Sequence, residues 1–182
     1  MKINIIVACC SNNGIGFKNT IPWFIKNDMK YFSKITKGNK NNAIIMGRKT
    51  WDSLPRKPLP HRQNIILTRS VTTHKQIQDE YSNNTCCYQS PEQAVEFCET
   101  ELFDEVWVIG GTAIYEYFYN EYNDKINKIY ITLVYKEYNC DVFFPIISNH
   151  FKLVSSDKKE EIDENTKQKI MVEYNILERT DK

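Results

Sequence analysis

The sequence lacks an excess of either charge: 24 Lys and Arg stand against 23 Asp and Glu, a formal net charge of +1. So balanced a chain offers no electrostatic footprint for nucleic acid and no strong attraction to an anionic membrane surface. It also lacks any apolar run near the roughly 20 residues that a spanning helix needs. The stretch from Lys2 to Cys9 faintly resembles a lipoprotein leader, but its apolar part is short and Asn4 interrupts it, so it is read as a buried strand. Metal-ligand spacing is missing as well. The six cysteines come as Cys9-Cys10, Cys86-Cys87, Cys98 and Cys140, and His61, His74 and His150 do not cluster with them. Reduced, mostly buried thiols in a cytoplasmic protein are expected instead. No G-x-G-x-x-G fingerprint follows any strand.

What is present points to one domain over residues 1–182, long enough for a sizeable core. Near-continuous apolar runs predict buried strands over 3–9, 43–46, 64–68, 105–109 and 129–134, with a further short strand around Tyr88. Helices are predicted over about 26–36, 48–54, 91–100 and 112–119, the third opened by Ser90 as cap with Pro91 at its first position and Gln93 at its third. Residues 36–42 read as a polar connection, and 70–85 as loop with one edge element. Two strands near 151–156 and 169–178 are joined by the charged run 157–164, read as a solvated hairpin loop. The fold class is therefore α/β, a single-domain, mostly parallel central sheet flanked by about four helices and closed by an antiparallel C-terminal hairpin.

Within the first helix, Ile25, Met29, Phe32 and Ile35 form one apolar stripe, and Asp28 falls on the same face. A carboxylate there costs several kcal/mol unless something pairs with it. It either faces a polar ligand or caps the helix, and Asn27 can serve as that cap. In open parallel sheets ligands sit beyond the carboxyl ends of the strands. Four such ends carry polar or glycine-rich turns: Gly14 and Gly16, Gly47-Arg48-Lys49-Thr50, Thr68-Arg69-Ser70 and Gly110-Gly111-Thr112. Arg48 and Lys49 open a helix, where the macrodipole disfavours cations; either a bound anion removes that conflict or the two are solvated bases tolerated near a helix start. Several anion sites on one edge suggest a dinucleotide with an additional 2′-phosphate, and Arg62, in the rigid Leu59-Pro60-His61-Arg62 loop, could meet the far end of an anionic substrate.

With these residues placed, the chain resembles the dihydrofolate reductase family from first strand to last. The resemblance rests on Ile6-Val7-Ala8, Gly14-Ile15-Gly16, Ile21-Pro22-Trp23 with Asp28 five residues on, Met46-Gly47-Arg48-Lys49-Thr50-Trp51, Pro58-Leu59-Pro60-His61-Arg62, Val108-Ile109-Gly110-Gly111, Tyr130-Ile131-Thr132 and Asp141-Val142-Phe143-Phe144-Pro145, all in the family's order. The segment from Asp28 to Phe32 is closest to protozoan members; those are often fused to thymidylate synthase, and this chain is expected to comprise the reductase domain only.

The resemblance implies NADPH-dependent reduction of 7,8-dihydrofolate to tetrahydrofolate, by a monomer whose partners are that small molecule and antifolate inhibitors. It assigns catalytic roles to Asp28, Thr132, Trp23 and Tyr115. Val7, Ala8, Asp28, Met29, Phe32, Leu54, Leu59, Arg62, Ile109 and Thr132 would contact substrate, with Arg62 on its α-carboxylate. Ala8, Ile15, Gly16, Gly47, Arg48, Lys49, Thr50, Thr68, Arg69, Ser70, Ile109, Gly110, Gly111, Thr112, Ala113, Ile114 and Tyr115 would hold the cofactor, and no metal is implied. The Gly110–Gly111 bond would be cis, and the loop 14–20 would close over the nicotinamide. Burial is expected to raise the Asp28 pKa while a bound pterin cation lowers it. Gln89 stands where some vertebrate-like members carry an Arg for the 2′-phosphate, leaving Arg48, Lys49 and Arg69 to supply that charge. The rival readings are a riboflavin-pathway pyrimidine reductase of the same fold and a non-catalytic NADPH- or pterin-binding paralogue. The first should lack the Trp23-to-Asp28 spacing, and the second should have lost Asp28 or Arg62.

Overall fold

A first strand that is apolar on both faces must lie inside a sheet, and here it lies at the middle of one. In the computed structural model, which describes residues 1–39, 41–81 and 83–180, β1 (Lys2–Cys10) is flanked by parallel neighbours on both sides. Lys40 of the predicted 36–42 connection, Ser82 of the predicted 70–85 loop and residues 181–182 of the predicted domain lie outside the described residues.

After β1 come β2 (Gly14–Gly16), α1 (Lys26–Lys37), β3 (Asn42–Gly47), α2 (Arg48–Ser53), β4 (Gln63–Leu67), α3 (Val71–Glu80), β5 (Thr85–Tyr88), α4 (Pro91–Thr100), β6 (Glu105–Val108) and α5 (Thr112–Glu121). The chain ends with β7 (Ile126–Val134), β8 (Val142–Phe143), β9 (Phe151–Asp163) and β10 (Gln168–Arg179). The eight-stranded sheet runs in the order β5-β4-β3-β6-β1-β7-β10-β9, all neighbours parallel except at β10, which is antiparallel to both β7 and β9. The chain leaves β1, builds β3, β4 and β5 outward, then returns to lay β6 between β3 and β1. That reversal places the carboxyl ends of β1, β3 and β6 around one crevice.

Side chains alternate across the sheet and fill two layers. One holds Ile5, Val7, Ile45 and Val108 against Val95 and Cys98 of α4 and Tyr115 and Phe118 of α5. The other holds Ile6, Ile44, Met46 and Trp107 against Trp51 of α2, Ile77 of α3 and Phe32 and Ile35 of α1. Ser90 caps α4 by accepting from the Gln93 N–H, with Pro91 inside the helix start, as the local sequence demands.

Three expectations need correction. First, part of the span 70–85 predicted as loop is the helix α3, one of five α-helices among the described residues. Its signal is weak because Val71, Thr72 and Thr73 are poor helix formers. Ser70 caps it by accepting from the Thr73 N–H, and the single buried residue Ile77 anchors it. Second, the charged run is not a hairpin loop: residues up to Asp163 belong to β9, and the turn is 164–167. Ladder hydrogen bonds to β10 outweigh the run's polarity, which is spent on a solvated face. Third, Ile25 rather than Asn27 stands at the cap of α1, and no side chain caps it. Gly14–Gly16 also pairs with Val142–Phe143 as a two-stranded ribbon that the loop reading did not contain.

The turn after β9 grips the entrance to α1. Buried Asp163 accepts from the backbone N–H of Phe24 at 3.2 Å and of Asn165 at 3.0 Å through Oδ1, and from the Tyr138 hydroxyl at 2.9 Å through Oδ2. Those donors hold its carboxyl below the usual carboxylate range, against the opposing effect of burial. Glu164 adds a backbone bond to Phe24 O and an ion pair with Lys26, both 2.8 Å. Asp163→Ala strands three donors, so chemical denaturation is expected to report a loss of about 2–4 kcal/mol.

Candidate active site

Trp23 is 4% exposed and packs its ring on Tyr138 with centroids 5.2 Å apart, which fixes the chain just before α1. One turn into the helix, Asp28 meets β7: the Thr132 hydroxyl donates to Asp28 Oδ1 at 2.7 Å. Thr132 is itself buried and lies opposite Ala8 of β1 and Tyr174 of β10 in the sheet register. The Asp28 carboxyl is pushed up to about 6; burial is the largest cause, the Thr132 hydrogen bond opposes it, and the nearby charge of Glu161 adds to it. Among the described residues the inward acid thus has one protein donor, leaving further lone pairs for two donors on a ligand edge.

Around it the predicted substrate residues fall into distinct sets. Phe32, Leu54, Leu59 and Ile109 belong to one apolar cluster with Ile6 and Trp51. Met29 is 40% exposed and Val7 packs in the opposite layer, so neither joins that cluster by its side chain. Arg62 is 4% exposed; its Nε donates to Pro60 O at 3.1 Å and its Nη1 to Thr36 Oγ1 at 2.6 Å, while the guanidinium stands 5.9 Å from the centre of the Phe32 ring. Burial lowers its pKa, the direction expected of a desolvated cation short of a counter-charge. Its loop, which follows the cis Lys57–Pro58 bond, is tied down by Asn64, which accepts from Leu59 N–H at 2.9 Å and donates to the carbonyls of Leu59 and Arg62.

Thr36 and Asn64 were not singled out in the sequence. A threonine inside a helix and an asparagine opening a strand carry no periodic signal, and only the fold shows what they hold.

On the other side of the crevice, α2 and α5 begin at neighbouring strands, with Gly47 and Gly111 at their caps and no side-chain cap on either. Gly47 N–H donates to Gly110 O at 2.7 Å, joining the two turns, and the Gly110–Gly111 bond is cis. The Thr112 hydroxyl is buried without a partner. Unclaimed helix N–H groups and an unpaired hydroxyl fit a phosphate group here. Exposed Arg48 and Lys49 open α2, Arg48 pairing with Asp52 one turn on. Thr50 is half-buried, as are Gly111 and Ile114, and Ala113 is exposed.

Thr68, Arg69 and Ser70 end β4 farther along the edge; Ser70 spends its oxygen on the α3 cap, and Thr68 Oγ1 accepts from Ser70 N–H. Ile15 and Gly16 sit on the ribbon β2–β8, whose Asp141 N–H donates to Gly16 O at 3.0 Å. Tyr115, 5% exposed, donates to Ile6 O at 2.8 Å, and burial pushes its phenol far up, so it stays neutral.

Uncapped helix starts at a strand-order reversal, in one fold with a carboxyl whose pKa burial raises, fit a dinucleotide-binding α/β protein. Comparison with known proteins narrows this class. The family model described as Dihydrofolate reductase matches residues 2–179. The chain is 37% identical to the dihydrofolate reductase of Aedes albopictus, over 100% of this chain and 99% of the relative. It is 33% identical to that of Drosophila melanogaster, with 98% of each covered, and 38% identical to that of Buchnera aphidicola, with 98% and 99% covered. The chain belongs to the dihydrofolate reductase family.

Proposed function

We propose that this protein reduces 7,8-dihydrofolate to 5,6,7,8-tetrahydrofolate with NADPH, serving one-carbon metabolism and thymidylate supply, and that antifolates bind the same crevice. The observation that carries the reading is the Asp28–Thr132 pair, an inward acid with a single protein donor among the described residues. When bound, NADPH supplies the hydride that passes from nicotinamide C4 to pteridine C6 while N5 takes up a proton from water.

Asp28 accepts two hydrogen bonds from the ring N–H and 2-amino group of the pterin, and Thr132 fixes the carboxylate in that plane. Its charge favours the protonated pterin without donating the proton itself. Trp23 would hold an ordered water beside Asp28 and Thr132. Phe32, Leu54, Leu59 and Ile109 sandwich the ring and the p-aminobenzoyl group, with Val7 and Ala8 contributing backbone and Met29 the rim. Arg62 meets the α-carboxylate. Tyr115, Ala8, Ile15, Gly16, Ile109 and Gly110 would hold the nicotinamide end. The N–H groups of α2 and α5, with Gly47, Thr50, Gly111, Thr112, Ala113 and Ile114, would hold the pyrophosphate. Arg48, Lys49, Thr68, Arg69 and Ser70 hold the adenosine end and its 2′-phosphate. The loop 14–20 closes over the pair.

We also read the molecule as one domain acting as a cytoplasmic monomer on small molecules, not on nucleic acid or membranes. The near-zero net charge and the six free thiols support this, and no helix among the described residues is long and apolar enough to cross a membrane.

Mixing protein, NADPH and dihydrofolate should deplete the nicotinamide absorbance near 340 nm. NADPH binding without oxidation would instead favour a binding paralogue. Arg62→Gln removes a charge-assisted contact worth about 1.5–3 kcal/mol, so KM for dihydrofolate should rise about 10- to 100-fold with kcat little changed. Steady-state kinetics at fixed NADPH measures it.

A further inference from the structure

Behind α1, away from the crevice, a groove of about 430 Å³ opens between that helix and the C-terminal hairpin. Its lining includes Lys30, Tyr31 and Lys34 from α1, Lys159 and Glu161 from β9, and Tyr174 from β10. Glu161 is 9% exposed although its strand neighbours from Lys152 to Glu160 all face solvent. It points inward and accepts from the Asn27 side-chain amide at 2.8 Å. Asn27 immediately precedes Asp28, so the back of the catalytic helix is tied to a second buried carboxylate. Tyr174, opposite Thr132 in the β7–β10 register, carries a buried hydroxyl with no partner. Nothing in the reductase mechanism uses these groups.

We propose that Glu161 is a positioning residue of the reductase site, which acts through its charge and its bond to Asn27 to set the proton occupancy of Asp28. The inference rests on the reading of Asp28 given above. Two carboxylates sharing a poorly solvated region cannot both ionise freely, so the charge of one favours the proton on the other. The groups that face Asp28 are few. The Thr132 hydroxyl of β7 donates to Asp28 at 2.7 Å, and Glu161 of β9, bonded to the adjacent Asn27 at 2.8 Å, acts on it through its charge; Tyr31 of α1 and Tyr174 of β10 feel the charges of Asp28 and Asp157, and Lys159 pairs with Asp157 at 2.6 Å. The lysines belong to the solvated mouth of the groove, where their charge is screened. Among the described residues of these elements, Glu161 is the carboxylate that bears on Asp28 from inside. Its bond to Asn27 holds the first turn of α1, where no side chain caps the helix.

The test is a pH titration of Asp28 in the ligand-free protein by 13C NMR of carboxyl-labelled aspartate, with Asp28→Asn identifying the resonance. Glu161→Gln keeps the Asn27 contact and removes the charge; the Asp28 midpoint is expected to move to lower pH. Glu161→Asp, which restores a charge on a shorter arm, should return it toward the parent value. In turnover, the limb of the kcat profile that follows Asp28 should move with the midpoint, changing the rate at a fixed pH on that limb by about threefold. A folded Glu161→Gln protein with an unmoved Asp28 midpoint overturns the proposal, whatever its melting temperature. Because the titration needs no substrate, a protein that fails to oxidise NADPH would overturn the reductase reading alone.

Discussion

Asp28→Asn lowers kcat/KM for dihydrofolate by about 10²- to 10³-fold at neutral pH, the scale of removing one charge from a desolvated site, and leaves NADPH binding intact. The substitution keeps the size of the side chain and the Thr132 hydroxyl can still donate to its oxygen, so the effect is electrostatic and not one of folding. It presents an N–H where the pterin also presents N–H, and one buried donor is then unmatched. The same replacement should stabilise the ligand-free protein at pH 7. Burial pushes the Asp28 carboxyl of the native protein up to about 6, from the usual 3.8. Between those values the native state holds more protons than the unfolded chain, so stability falls as pH rises through that window. Above it the ionised, buried carboxylate costs about 3 kcal/mol, the free-energy equivalent of the upward displacement from 3.8 to about 6. Asn carries no such charge. A melting temperature that rises on Asp28→Asn at pH 7 and converges with the parent near pH 4, together with the lost turnover, is the joint signature. Equal melting curves across that range would contradict the electrostatic account.

That result also shows which parts of the site a sequence can disclose. Asp28 was legible because an acid on an apolar helix face has few innocent explanations. The strands were legible where burial on both faces makes the run continuous, as in β1 and β3, and α4 was legible because Ser90, Pro91 and Gln93 carry capping chemistry in three adjacent turns of logic: cap, fixed φ and return bond. Where the information lies in a partner, the sequence is silent. The run 157–163 is a strand because β10 pairs with it, and its own composition argues for loop. α3 depends on Ile77 finding the cluster around Trp51. Asn27 reads locally as a cap, yet its amide is claimed by Glu161, 134 positions away. Thr36, which holds Arg62, is indistinguishable from any helical threonine until the loop is folded against it. The positions nearest the chemistry are therefore those that break local rules, and their supports are those that obey them.

Gly110→Ala is expected to cost about 3–5 kcal/mol, combining an unfavourable backbone conformation with overpacking. Gly110 has φ +112, a region that side chains other than glycine's hydrogen rarely tolerate. An added Cβ would also lie 3.0 Å from Tyr115 Cε2 and 3.2 Å from its hydroxyl oxygen. That ring cannot easily withdraw: its hydroxyl donates to Ile6 O and its edge meets Phe144 with centroids 5.1 Å apart. Moving it would pull on β1 beside Val7 and Ala8, so loss of stability and loss of cofactor binding should appear together. The neighbouring Gly111→Ala separates the two effects. Its φ is −82 and its Cβ would meet only Thr50 Oγ1, at 3.4 Å, so the melting temperature should barely change. Any fall in NADPH affinity then reports crowding at the α5 helix start itself. Combining Gly110→Ala with Tyr115→Ala should cost less than the sum of the two single changes, and a strictly additive double mutant would show that the methyl and the ring do not collide.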